Sequence, residues 1–147
     1  MRKIRELGFA VKLDTNGNHP QLLKAILDEG LVDYVAMDIK NTPEKYAVTC
    51  GLEKIDMEPI KESIDLLKNS GIDFEFRTTV VDEFHKAEDF YGIGELIRGA
   101  DRYFLQCFTD RDSVPFGDLH APSKEAMETY ADIAKQFVPS TEIRGMD

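Results

Sequence analysis

Six charged residues sit inside segments that otherwise read as apolar strands: Lys12, Asp14, Asp38, Lys40, Glu75 and Arg77. Side chains alternate across a strand, so residues two apart share a face. Lys12 and Asp14 therefore lie together, as do Ala36, Asp38 and Lys40, then Glu75, Arg77 and Thr79, and then Phe104, Gln106 and Phe108. The opposite faces carry Val11 and Leu13, Val35, Met37 and Ile39, Phe74, Phe76 and Val80, and Leu105 and Cys107. Charges of both signs converging from several strands suit a polar or zwitterionic ligand, because a buried charge is costly unless it is paired or bound. The same residues support two other readings. An internal salt-bridge network among the six would close the core with no ligand at all. Alternatively, Lys40 on a strand inside a semi-enclosed pocket could act as the Schiff-base lysine of an aldolase-like barrel.

The elements that must position these side chains follow a strand-helix rhythm. Strands are expected over residues 9–14, 34–40, 74–81 and 103–108, with a fifth around 141–144. A helix end at 2–7 is closed by Gly8. A helix after Asn18 has Pro20 in its first turn, Leu22, Leu23, Ile26 and Leu27 on one face, and Gly30 as its stop. Further helices are expected over 56–70, where Pro59 is tolerated in the first turn, over 87–98 before Gly99, and after Ser123 as an N-cap. The stretch 109–121 reads as a surface loop, a lid or an interface. Helices on one face and charges on the other fit a sheet that curls into a barrel better than an open sheet covered on both sides. Active sites of parallel barrels sit at the carboxyl ends of the strands, where Asp14, Asp38 and Lys40 fall. The fold class is thus α/β, an incomplete parallel (β/α) barrel, with 1–147 as a single domain.

Bulk composition narrows the class. At 147 residues a single core is feasible. The 28 acidic against 18 basic residues give a net charge of −10, and no helical face gathers Lys and Arg, which argues against a nucleic-acid partner. No apolar run is long enough to span a bilayer and the start lacks a signal-peptide pattern, so no membrane partner and a cytoplasmic location are expected. Only two cysteines occur, without metal-binding spacing: Cys107 reads as a buried strand residue and Cys50 as a loop residue. No metal ligands and no catalytic residue are assigned.

Particular strings now matter. KLDTNG at 12–17 followed by DYVAMDIK at 33–40 closely resembles the activating enzymes of glycyl-radical enzymes, within the radical S-adenosylmethionine (SAM) superfamily. FRTTVV at 76–81, GADRYFLQ at 99–106 and EIRG at 142–145 resemble the subgroup of anaerobic ribonucleoside-triphosphate reductase activating proteins. The resemblance implies a partial (β/α)6 barrel that holds SAM against a 4Fe-4S cluster. Reductive cleavage there gives a 5′-deoxyadenosyl radical, which takes a glycine hydrogen from a partner enzyme. It further implies that Asp14, Thr15 and Asp38 lie near the amino-acid end of SAM, that Lys40 and Arg77 line the same pocket, and that Gln106 approaches the adenosyl part.

The chain departs from that family in lacking the CxxxCxxC loop after the first strand and the glycine-rich segment after the second. It reads as the C-terminal portion of such a barrel, starting just before the third strand, inactive without the cluster-binding part and weak in SAM affinity. Cys50 and Cys107 do not supply the three thiolates such a cluster requires. The first strand, 9–14, would then be an exposed edge, through which self-association is expected. A non-catalytic, self-associating α/β module is the third reading.

Overall fold

The structure is a computed structural model that describes residues 3, 6–109 and 119–146. Five strands form one parallel sheet in sequential order: β1 (Lys12–Thr15), β2 (Tyr34–Asp38), β3 (Asp73–Val80), β4 (Tyr103–Cys107) and β5 (Glu142–Arg144). Each consecutive pair is parallel, and β1 and β5 are the two edges, so the sheet is open. Helices α1 (Pro20–Asp28), α3 (Glu58–Lys68), α4 (Ala87–Ile97) and α5 (Lys124–Ala134) correspond to the expected crossovers. Ser123 caps α5 as expected, its Oγ accepting the Ala126 N–H at 3.1 Å.

The alternation sorts the sheet cleanly. Val35, Met37, Phe74, Phe76, Val80, Tyr103 and Leu105 pack with Leu23, Ile26, Ile60, Ile64, Leu67, Phe90, Ile93, Ile97 and Met127 in one buried cluster. The helices therefore lie on the apolar face. Strand registers place Asp14 beside Ala36 and Glu75, and Asp38 beside Arg77 and Phe104, on the opposite face.

One element differs from the sequence reading. A helix not expected there, α2 (Pro43–Thr49), follows β2; Pro43 opens it and it buries Tyr46. Cys50 lies in the turn that follows α2, its N–H bonding the carbonyls of Tyr46 and Ala47 at 3.1 Å, with the side chain exposed. Cys107 is buried in β4 as expected. Of the stretch 109–121, residues 110–118 lie outside the described residues, as do residues 2, 4 and 5 of the expected N-terminal helix. Among the described residues no helix is long and apolar enough to cross a membrane.

Candidate functional site

The loop after β1 is built from its own polar side chains. Thr15 Oγ1 accepts the Gly17 N–H at 3.1 Å and Asn16 Oδ1 accepts the Asn18 N–H at 3.0 Å, the local bonds these residue types form in turns. Gly17 has φ +76°, and a Cβ there would lie 2.2 Å from Met37 Cε. Its carbonyl accepts the buried Ser63 hydroxyl of α3 at 2.8 Å. The DTNG string thus turns the chain tightly over β2 and fixes Asp14 at the end of its strand.

On the open face Asp14, Asp38, Lys40 and Arg77 meet. Arg77 Nε donates to Asp38 Oδ1 at 2.8 Å, Arg77 Nη2 lies 3.6 Å from Asp14 Oδ2, and Lys40 Nζ lies 3.7 Å from Asp38 Oδ2. Burial disfavours the Arg77 charge, yet the bond and charge of Asp38, and then Asp14, raise its pKa above its ordinary value. Only one of the three contacts is a close hydrogen bond. The side chains of Asp14 and Lys40 are 60% and 42% exposed, so the cluster keeps solvent-facing groups of both signs. Thr15 stands apart: it pairs with Met37 on the helix face and spends its hydroxyl in the turn. Gln106 is on the open face, in register with Thr79 and Arg144, but outside the ionic cluster.

The six-residue network of the alternative reading is divided. Glu75 accepts from Tyr34 Oη at 2.8 Å and from Arg144 Nη1 at 3.0 Å, forming a second cluster deeper on the same face. Lys12 lies over the Tyr34 ring, 5.8 Å from its centroid. Burial, then the Glu75 bond, raise the Tyr34 pKa, keeping its phenol a donor.

The exit of β2 is held from the helix side. Thr78 Oγ1 donates to the Ile39 carbonyl at 2.6 Å and accepts from Tyr103 Oη. Asn41, fully buried, donates to Thr49 Oγ1 and the Phe84 carbonyl at 3.0 and 2.9 Å. His85, also fully buried, accepts the Val81 N–H on Nδ1 at 3.1 Å, which leaves the proton on Nε2, and Nε2 donates to the Lys40 carbonyl at 2.8 Å. Burial is the main cause that lowers the His85 pKa, against the raising effect of its two backbone bonds. Below about pH 6.5 the unfolded chain therefore binds a proton that the folded chain refuses, so this stability contribution is complete above that pH and declines as pH falls toward the folded pKa. The slope is at most about 1.4 kcal/mol per pH unit. His85→Gln, which keeps a donor for Lys40 but does not titrate, is expected to show a shallower loss of urea stability between pH 7 and 5.5 than the unmodified chain.

Two hollows lie near these elements. A cleft of about 400 Å3 is lined by Asn16, Asn18, Lys40, Tyr46, Cys50 and Leu52, at the carboxyl ends of β1 and β2. Burial raises the Cys50 thiol pKa, opposed by the charge of Lys40. A groove of about 600 Å3 runs between α1 and α3, lined by residues such as Lys24, Asp28, Lys61 and Asp65, and no strand-end residue reaches it. Among the described residues no three His, Cys, Asp or Glu side chains form a group able to hold a metal ion.

An open parallel sheet with helices on one face, and a two-sign polar cluster at the strand ends of the other, defines an α/β partial barrel. A solved domain of the pyruvate-formate lyase-activating enzyme from Bacteroides vulgatus shares this fold, with a TM-score of 0.76 over 97% of this chain and 86% of that domain, at 13% identity. A protein of Methanocaldococcus jannaschii, provisionally named a glycyl-radical enzyme activating enzyme, is 34% identical over 151 aligned positions covering 97% of this chain. No family model matches the chain. The chain is thus similar in sequence to a protein named as an activating enzyme and in fold to a domain of another. It spans 62% of the length of its M. jannaschii relative.

Four contributors escaped the sequence reading: Tyr34, Arg144, His85 and Asn41. The strand alternation puts Tyr34 in the row of Lys12, a signal that was available. Arg144 was legible only as part of the EIRG string, and the two buried residues fall in connections where no periodicity operates.

Proposed function

We propose that the chain is the C-terminal part of a radical SAM barrel that activates a glycyl-radical enzyme, with anaerobic ribonucleoside-triphosphate reductase as the target. The observation that carries this reading is the Asp14, Asp38, Lys40 and Arg77 cluster at the strand ends. The strings FRTTVV, GADRYFLQ and EIRG support the choice of target.

SAM fits the donor set: the carboxylates Asp14 and Asp38 suit an ammonium, and Lys40 and Arg77 suit a carboxylate. When bound, SAM supplies the sulfonium chemistry of the family. This chain's own part is to bind and orient. Arg77, anchored on Asp38 Oδ1 through Nε, can turn its Nη groups to the ligand carboxylate. Lys40, its backbone fixed by His85, adds a second cation from β2. Thr15 shapes the turn that carries Asp14, and Gln106 faces the same side from β4.

The iron-sulfur cluster does not fit these residues, because the only two cysteines lie on separate elements and one is buried. We assign cluster binding to protein outside this chain, and the chain alone is expected to be inactive. A Schiff-base role for Lys40 is disfavoured, because its side chain is ion-paired with Asp38 and 42% exposed.

An NMR titration of the chain with SAM tests the reading. Arg77→Met and Lys40→Met are each expected to weaken binding about tenfold or more, the loss of a charged hydrogen-bond partner. Lys24→Met, in the α1–α3 groove, is expected to change nothing. Equal affinity in all three variants would reject the assignment.

A further inference from the structure

His85 lies between the ends of β2 and β3, the strands that bring Lys40 and Arg77 to the site. Its buried ring bonds to both ends: Nε2–H donates to the Lys40 carbonyl at 2.8 Å, and Nδ1 accepts the Val81 N–H at 3.1 Å. Lys40 is two residues past the end of β2, so the imidazole takes the place of a ladder bond there. The Val81 carbonyl is 3.2 Å from the same Nδ1, but it already accepts the Phe84 and His85 N–H groups, each at 3.0 Å. A proton added to Nδ1 would therefore point at the Val81 N–H, with an occupied carbonyl as its alternative. A buried cation without a good acceptor is costly, so the charged ring must turn outward, and turning takes Nε2–H away from Lys40.

The surroundings do not hold an imidazolium in place. Both ring nitrogens bond backbone groups rather than a carboxylate. Asp89 on α4 favours the charge and Lys45 on α2 opposes it, but these two are bonded to each other at 2.6 Å, so their effects on the ring largely offset. From α5 the Tyr130 phenol donates to the His85 carbonyl at 3.4 Å, and its ring stacks on Phe90 of α4, which lies 6.0 Å from the imidazole. Within the turn itself, Glu83 is bonded to His120 and the Lys86 ammonium to the Asp82 carbonyl.

We propose that His85 is a positioning residue for Lys40, holding the end of β2 against the end of β3 only while Nδ1 carries no proton, so that the ligand affinity of the site falls when the ring is charged. The inference rests on the SAM reading and adds to it a proton-dependent control that acts from the helix side of the sheet. Nothing in it requires His85 to touch the ligand. Histidine is the side chain whose ordinary titration falls closest to neutral pH, so the control operates on the acid side of neutrality. Coupling between two sites is reciprocal, so bound SAM must in turn make the ring harder to protonate.

NMR on the 147-residue chain tests the proposal, first without ligand and then with SAM, between about pH 7 and 5.5. Without ligand, the Val81 N–H, the Asn41 amide nitrogen and the Lys40 side-chain signals are expected to titrate together with the His85 ring. SAM affinity is expected to fall about tenfold as the ring charges, and saturating SAM to move the ring titration down by about one pH unit, the same coupling read from the other side. In His85→Gln, which keeps a donor for Lys40 but does not titrate, affinity is expected to change by less than about twofold over that range. Comparing the two chains at each pH cancels the titration of SAM itself, and circular dichroism at each pH separates loss of fold from loss of affinity. A purely structural role for His85 predicts altered urea stability with no movement of the ring titration by SAM, and that result would overturn the proposal. So would Lys40 signals that ignore the ring, a ring that stays uncharged until the chain unfolds, or a His85→Gln chain that loses affinity as the unmodified chain does. Should His85→Gln not fold, the coincident titrations and the shift by SAM in the unmodified chain decide alone. If Lys40 follows the ring but SAM binds at no pH, the SAM reading fails and the positioning of Lys40 by His85 stands.

Discussion

Replacing Arg144 with methionine is expected to lower the unfolding free energy by about 3 kcal/mol, because it leaves the Glu75 carboxylate buried without its counter-charge. Glu75 is 1% exposed and keeps only the Tyr34 phenol as a hydrogen-bond partner once Arg144 is gone. Lost stacking on Phe104 adds to the cost, as an exposed cation-π contact contributes roughly 0.5–1 kcal/mol. With a urea dependence of about 1–3 kcal/mol per molar, the denaturation midpoint should fall by about 1–3 M. Replacing Glu75 as well, giving Glu75→Met with Arg144→Met, removes the stranded charge and is expected to recover most of the loss. Urea unfolding of the single and double variants, followed by circular dichroism, measures both effects. A double variant less stable than Arg144→Met would show that the pair contributes more than mutual neutralisation.

The second large effect concerns the edge at β1. Among the described residues this strand pairs only with β2, and the approach to it carries Leu7 and Phe9 at 73% and 64% exposure. Open backbone groups beside exposed apolar side chains favour pairing with another copy, and Lys12 is the only lysine on the strand to oppose it. The isolated polypeptide is expected to associate at high micromolar concentration, and Phe9→Lys to shift it strongly toward monomer. Light scattering on both forms gives the answer, and a monomeric unmodified chain would remove the edge from the account.

The alternation of apolar and charged residues made the faces of β1 to β4 legible because a period of two maps directly onto the sheet. Asp14, Asp38, Lys40 and Arg77 converge for that reason. Thr15 was placed among them by resemblance alone, and its hydroxyl serves the turn instead. The pairing of Glu75 could not be read because its partner comes from a three-residue strand 69 positions away. Helix α2 was missed since seven residues with Val48 and Thr49 near the end carry little helical signal. His85 shows a similar limit: its position is set by backbone groups of Lys40 and Val81, which no side-chain pattern records.

The measurement that bears most directly on the central claim is a residue-by-residue NMR shift map of the chain on titration with SAM. The account predicts shifts at Asp14, at Asp38 to Lys40 and at Arg77, with smaller ones at Gln106, while Lys24, Asp28, Lys61 and Asp65 in the groove between α1 and α3 stay silent. Shifts gathered in that groove, or none at the strand ends at saturating SAM, would contradict it.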